Sequence, residues 1–70
     1  MTTADTLLQA YRRGNLAEIS EAEVAYQDDR LAPYGDRRSV HHADPPGYRD
    51  AFYRVLAEQA VIEEQARATP

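Results

Sequence analysis

The chain has 70 residues, a net charge of −4, no cysteine and no lysine, so every basic side chain is arginine. Those facts exclude a second domain and disulfide, zinc-finger or thiol-redox chemistry, and they oppose a nucleic-acid binder that works by neutralising phosphates. No stretch is apolar long enough to span a bilayer, and "MTTADTLLQA" lacks the basic start and apolar run of a secretory signal, so a cytoplasmic protein is the expectation.

The first predicted helix covers about 4–13. Ala4, Leu7, Leu8 and Tyr11 recur at i, i+3, i+4 and i+7, which puts them on one face. Thr3 or Asp5 can cap its start. Arg12 and Arg13 suit the negative end of the helix dipole, and Gly14 suits the left-handed residue just past the end.

The second helix is predicted over about 21–31. In "ISEAEV", Ser20 reads as N-cap and Glu23 as the reciprocating residue of a capping box, with Ile19 and Val24 as the flanking hydrophobic staple. Pro33 forbids continuation soon after Leu31. The inward face reads as Val24 and Leu31, interrupted by Gln27 and Asp28, and Tyr26 reads as pointing away from it.

A loop is predicted over about 32–44, with Ala32-Pro33-Tyr34-Gly35 suited to a type I turn. Loops of that length are uncommon in small domains and often carry function. The loop contains His41, His42 and Asp44. Adjacent histidines in extended chain point to opposite sides and rarely share a metal, and the helical chelating spacings are absent. Ser39, His41 and Asp44 lie too close in sequence to form a nucleophilic triad without a scaffold. The glycines are isolated, so there is no phosphate-cradling loop. The expectation is no catalytic residue, no metal and no cofactor.

The third helix is predicted over about 45–68, with Asp44 as N-cap and Pro45 in the first turn. Tyr48, Phe52, Val55, Gln59, Ile62 and Ala66 follow 4-3-4-3-4 spacing and form one stripe. Tyr53, Leu56, Ala57, Ala60 and Val61 form a second apolar group roughly opposite. A helix that is apolar on two sides needs cover on two sides, and two short preceding helices supply one. The whole is predicted to be a single all-α domain of three helices with a long loop before a long C-terminal helix.

Charge marks a second candidate face. Glu18, Glu21, Glu23, Asp28 and Asp29 stand together with no base among them. Acids near a helix N-terminus complement its dipole, and an acidic face also fits a basic protein surface. Tyr26 and Arg30 lie beside it, and these residue types dominate interface energetics. "YRRGNLAEISEAEVAY" can be read as a helix-turn-helix, but "DRLAPYGDRRSV" then puts a proline and a glycine where a recognition helix belongs. In size, charge and helicity the chain is similar to small acidic immunity proteins, antitoxins and anti-defence inhibitors of bacterial or phage kind. No motif is shared, so the likeness assigns no residue a role.

The expectation from sequence is therefore a non-enzymatic module that binds another protein, first an inhibitor docking on a basic surface. A small accessory subunit of an enzyme complex comes second, and a minimal DNA-binding regulator third. The protein-binding candidates are Tyr53, Leu56, Ala57, Ala60 and Val61 on the third helix and Glu21, Tyr26, Asp28, Asp29 and Arg30 on the second. The third-helix group is also where a homodimer is expected. Neither nucleic acid nor membrane is expected as a partner.

Overall fold

A computed structural model of the chain describes residues 1–34 and 46–68. They form three α-helices, α1 (Thr3–Arg13), α2 (Leu16–Leu31) and α3 (Tyr48–Ala68), with a 3-10 turn at Ala32–Tyr34 directly after α2. No strand occurs among the described residues. The protein is a small all-α domain. Residues 35–45, with Ser39, both histidines, Asp44 and Pro45, lie outside the described residues, so the readings placed on that segment do too.

α1 begins on a reciprocal cap. The Asp5 N–H donates to Thr2 Oγ1 at 3.1 Å, and the Thr2 N–H donates to Asp5 Oδ2 at 3.2 Å. The bond from the Thr2 backbone, then that from its side chain, holds the Asp5 carboxyl below its ordinary range. Thr2 is thus the cap, with Asp5 as its counterpart. At the other end Gly14 has φ 70°, and its N–H donates to the carbonyls of Ala10 and Tyr11. This is the left-handed stop that the sequence predicts, a conformation glycine adopts without steric cost.

α2 starts five residues earlier than predicted. Asn15 is the cap: its Oδ1 accepts from Ala17 N at 3.0 Å and from Glu18 N at 3.2 Å. Two orphan donors are satisfied there, so Ser20 lies inside the helix. The predicted staple fails with it, since Val24 is exposed and only Ile19 packs against the core. α3 starts at Tyr48, three residues later than predicted, with the Gly47 carbonyl accepting from Ala51 N at 3.0 Å. It ends at Ala68, as predicted.

Only Gly14 and Asn15 join α1 to α2, so the two must run antiparallel. Thr3 Oγ1 donates to Asp29 Oδ2 at 3.2 Å at one end, and Arg13 pairs with Glu18 at 3.3 Å at the other. α2 and α3 also run antiparallel: Tyr34, just past the end of α2, lies beside Gly47 at the start of α3, while Glu23, nearer the start of α2, meets Gln59 in the middle of α3. The result is an up-down-up arrangement of three helices.

The core holds Leu7, Ala10, Ala22, Tyr26, Leu31, Ala51 and Val55. Ala4, Tyr11, Ile19, Tyr34, Tyr48, Phe52 and Ile62 pack around it, half-buried. The predicted α3 stripe does face inward: Val55, Gln59 and Ala66 are buried, and Tyr48, Phe52 and Ile62 are half-buried. On α2 the inward face is Ile19, Ala22 and Tyr26 rather than Val24. Alanine at so many core positions lets the helices approach closely, but each alanine removes little apolar area from water.

Candidate protein-binding site

The outer side of α3 follows from the phase of the helix. Once Tyr48, Ala51, Phe52, Val55, Gln59 and Ile62 face inward, the 3.6-residue period sends Tyr53, Leu56, Ala57, Ala60 and Val61 outward. Tyr53 is 64% exposed, Val61 53% and Leu56 37%. Ala57 and Ala60 between them are exposed as well. The face is therefore apolar for nine residues, 53–61, interrupted by Arg54 at its edge. The half-buried Phe52 ring meets Tyr53 edge-on, with centroids 6.3 Å apart, and stacks on Tyr48 at 6.5 Å. That contact ties the exposed Tyr53 ring to the core and limits its freedom before any partner arrives.

The opposite side of α3, where it meets α2, is polar and fully paired. Tyr26 Oη donates to Glu58 Oε1 at 2.9 Å, and Arg30 grips the same carboxylate through Nε at 3.0 Å and Nη2 at 2.9 Å. Arg30 holds the Glu58 carboxyl below its ordinary range, and Glu58 in turn raises the Arg30 guanidinium. Burial, then the Glu58 bond, pushes the Tyr26 phenol up. One turn along, Gln59 Nε2 donates to Glu23 Oε2 at 2.8 Å and Gln59 Oε1 accepts from Gln27 Nε2 at 2.7 Å. The Tyr11 phenol beside them is raised by burial first and then by Glu23 and Glu63. Among the described residues no buried side-chain polar atom lacks a partner.

These contacts redistribute the residues expected on an acidic α2 face. Tyr26 is buried and belongs to the core, so it is not a surface anchor; Ile19, Ala22 and Tyr26 at i, i+3 and i+7 were the signal. Arg30 is exposed, but its guanidinium is committed to Glu58. Glu23 turns inward to Gln59, and Glu18 and Asp29 turn to α1 through Arg13 and Thr3. Glu21, Asp28 and Asp29 are exposed, with Glu21 and Asp28 seven residues apart on one side of the helix. Sequence reasoning missed a shallow groove of about 320 Å³ between α1 and α2. Ala10, Ala22 and Ala25 line it, with Arg13, Glu18 and Glu21 among its polar residues.

Among the described residues no group of three histidines, cysteines, aspartates or glutamates is placed to hold a metal, and no helix is long and apolar enough to cross a membrane. α1 and α2 lie alongside each other, tied at both ends, rather than crossing as a helix-turn-helix pair does. The fold and its outer surface define a small three-helix domain with an apolar face on its longest helix. No protein-family model, curated protein or solved structure matches the chain.

Proposed function

We propose that the chain is a non-enzymatic protein-binding module and, within that class, a small acidic inhibitor or antagonist that docks on a basic protein surface. The outer face of α3 carries the reading. Each large apolar side chain left in water forgoes roughly 1.5–3 kcal/mol of burial, and contiguous apolar surface on a small domain marks an interaction site. Tyrosine and leucine on a rigid helix, with alanines between them, suit a groove or another helix. The net charge of −4 and the exposed Glu21, Asp28 and Asp29 favour a basic partner and repel nucleic acid.

A small accessory subunit of a larger enzyme is the second reading, favoured by the alanine-rich core, which gains from cover supplied by a partner. Parallel affinity capture from the source organism with wild type and with Leu56→Glu plus Val61→Glu tests both. The reading expects a protein retained by wild type and lost by the folded double variant. Assay of that protein then separates an inhibitor, which abolishes its activity, from a subunit, which sustains it. Equal retention on both baits, or none on either, overturns the module reading.

A further inference from the structure

We infer that the groove between α1 and α2 takes an arginine side chain of a basic partner protein, with its stem on the alanine floor and its guanidinium on Glu21. The inference rests on reading the chain as a module that meets a basic protein. It adds the side chain that is met and the place where it lies, apart from the α3 outer face.

The groove exists because α1 and α2 carry small residues where they lie side by side. Thr6, Ala10 and Arg13 follow 4-3 spacing along α1, and Glu18, Ala22 and Ala25 follow it along α2, with Glu21 beside them. The helices run antiparallel, so Ala25 comes opposite Thr6, and Glu18 comes opposite Arg13 and pairs with it at 3.3 Å. Between these ends the buried Ala10 and Ala22 form the floor. Each wall is two helical turns long, about 10 Å, and the space measures about 320 Å³. It suits one long side chain and is too narrow for a helix, which is roughly 10–12 Å across with its side chains.

The chemistry of the walls selects the occupant. Thr6 gives its hydroxyl proton to the Thr2 carbonyl at 3.1 Å, which leaves the oxygen able only to accept. Glu21 is exposed, and no described residue pairs with its carboxylate. Over an apolar floor, the uncommitted groups are therefore acceptors. A purely apolar side chain would cover Glu21 without supplying a donor, which is costly, and an acidic one would meet Glu18 and Glu21. Arginine has the apolar stem and a head that donates and never accepts. Its planar guanidinium is more weakly hydrated than a lysine ammonium and can give a carboxylate two parallel bonds. Elsewhere on α2 the chain uses the same pairing: Arg30 grips Glu58 through Nε at 3.0 Å and Nη2 at 2.9 Å. Arg13 is a cation at one end of the groove, so the incoming arginine enters from the Thr6–Ala25 end and stops at Glu21. The net charge of −4 favours its approach.

The test titrates a capped Ala-Arg-Ala peptide into the isotope-labelled full chain and follows the backbone amides by NMR. Saturable shifts are expected at Ala10, Glu21, Ala22 and Ala25, with a dissociation constant in the millimolar range that suits a single side chain. The same peptide with citrulline, which keeps the shape and loses the charge, or with lysine should bind roughly two- to fivefold more weakly. Glu21→Gln should weaken the arginine peptide by a similar factor. Arg13→Gln should strengthen it about twofold, because it removes a like charge and frees Glu18. Ala25→Leu, on the exposed wall, should fill the groove and abolish the shifts. Glu21 and Ala25 are both exposed, so these variants keep the fold, which circular dichroism checks. Equal binding of the citrulline peptide means an apolar occupant, and equal binding of the lysine peptide means that the planar fork is not read. Shifts spread over distant acids such as Glu64 mean general attraction of charge. Each of these results, or no saturable shift at all, overturns the inference. Leu56→Glu plus Val61→Glu should leave the titration unchanged, since α1 and α2 alone line the groove. Failure here with capture through the α3 face intact removes the groove alone. Success here with no protein captured by wild type removes the docking reading and leaves the arginine site.

Discussion

Gln59 is 7% exposed, while Leu56, three residues earlier on the same helix, is 37% exposed. Around the middle of α3 a polar residue faces in and apolar residues face out. The inward side is sustained by complete pairing: Gln59 uses its amide nitrogen on Glu23 and its oxygen on Gln27, and Glu58 receives Tyr26 and Arg30. Burying amides and carboxylates without such partners costs several kcal/mol, so this seam admits one register of α2 against α3. The outer side has no such specification within the monomer. Its apolar groups stand partly in water, with Tyr53 held by the edge of Phe52 and Leu56 and Val61 partly covered by their own helix. The seam fixes the fold, and the outer strip is free to recognise something else.

Two leucines separate those roles most sharply. Leu31 is 1% exposed, in a core with few large side chains. Leu31→Ala is expected to cost about 2–5 kcal/mol, the range for a buried leucine, and in so small a domain this leaves the chain largely unfolded at 25 °C. Leu56→Ala should shift monomer stability by less than about 1 kcal/mol while weakening association. Chemical denaturation of both variants at low protein concentration is the check. A large loss for Leu56→Ala would show that the outer strip is structural and erase the distinction.

The seam is the next place to press. Gln59→Ala leaves Glu23 and Gln27 without the bonds they share and should cost about 1–3 kcal/mol. Gln59→Glu keeps the volume but sets a carboxylate against Glu23, so it should be at least as damaging at neutral pH and recover as the pH falls. A neutral Gln59→Ala would mean that water replaces the amide without loss, and that the seam does not set register.

How much of this was legible follows from which signals were strong. The inward stripe of α3 and the glycine stop of α1 came directly from spacing and from one residue's conformational freedom. α2 was misread at both its start and its face. Ser20 and Glu23 look like a capping box, yet Asn15 followed by Glu18 offers the same N-x-x-E pattern earlier, and the short Gly14-Asn15 link lets α2 begin at once. The face was misread because large residues alone were taken as core. Ala22 is buried and Val24 is not, and only the line Ile19, Ala22, Tyr26 shows it. Glu58 as a shared partner of Tyr26 and Arg30 depends on the register of two helices far apart in sequence, which no local pattern carries. The α3 outer group was legible because an apolar residue at the wrong phase is visible in sequence.

The caps test the corrected start of α2. Asn15→Ala should cost about 1 kcal/mol, since two N–H groups lose their acceptor. Ser20→Ala should change stability by less than about 0.5 kcal/mol, and in the stabilising direction, because an interior helical position favours alanine. The reverse ranking in thermal melts would return the helix start to Ser20.

The smallest effect expected is on pH, and it bears on the seam alone. Arg30, then Tyr26, lowers the Glu58 carboxyl below its ordinary 4.5, with burial acting against them. A carboxyl whose folded pKa is depressed contributes stability that is fully present above its unfolded pKa and lost as pH falls through the folded one. The acid limb should therefore begin below about pH 4.5 and flatten in Glu58→Gln. At the alkaline end burial, followed by the Glu58 bond, raises the Tyr26 phenol above its ordinary 10.0. The sign is opposite there: the contribution is present below the unfolded pKa and lost as pH rises through the folded one. Tyr26→Phe should remove the part of the alkaline limb above pH 10 that belongs to this residue, leaving that of Tyr11. Arg30 and Glu58 are both partly exposed, so solvent screens the pair and each change should stay below about 1 kcal/mol. Leu56→Ala, on the other side of α3, should leave both limbs where they are. A shift of either limb in that variant would mean that the two sides of the helix are coupled rather than independent.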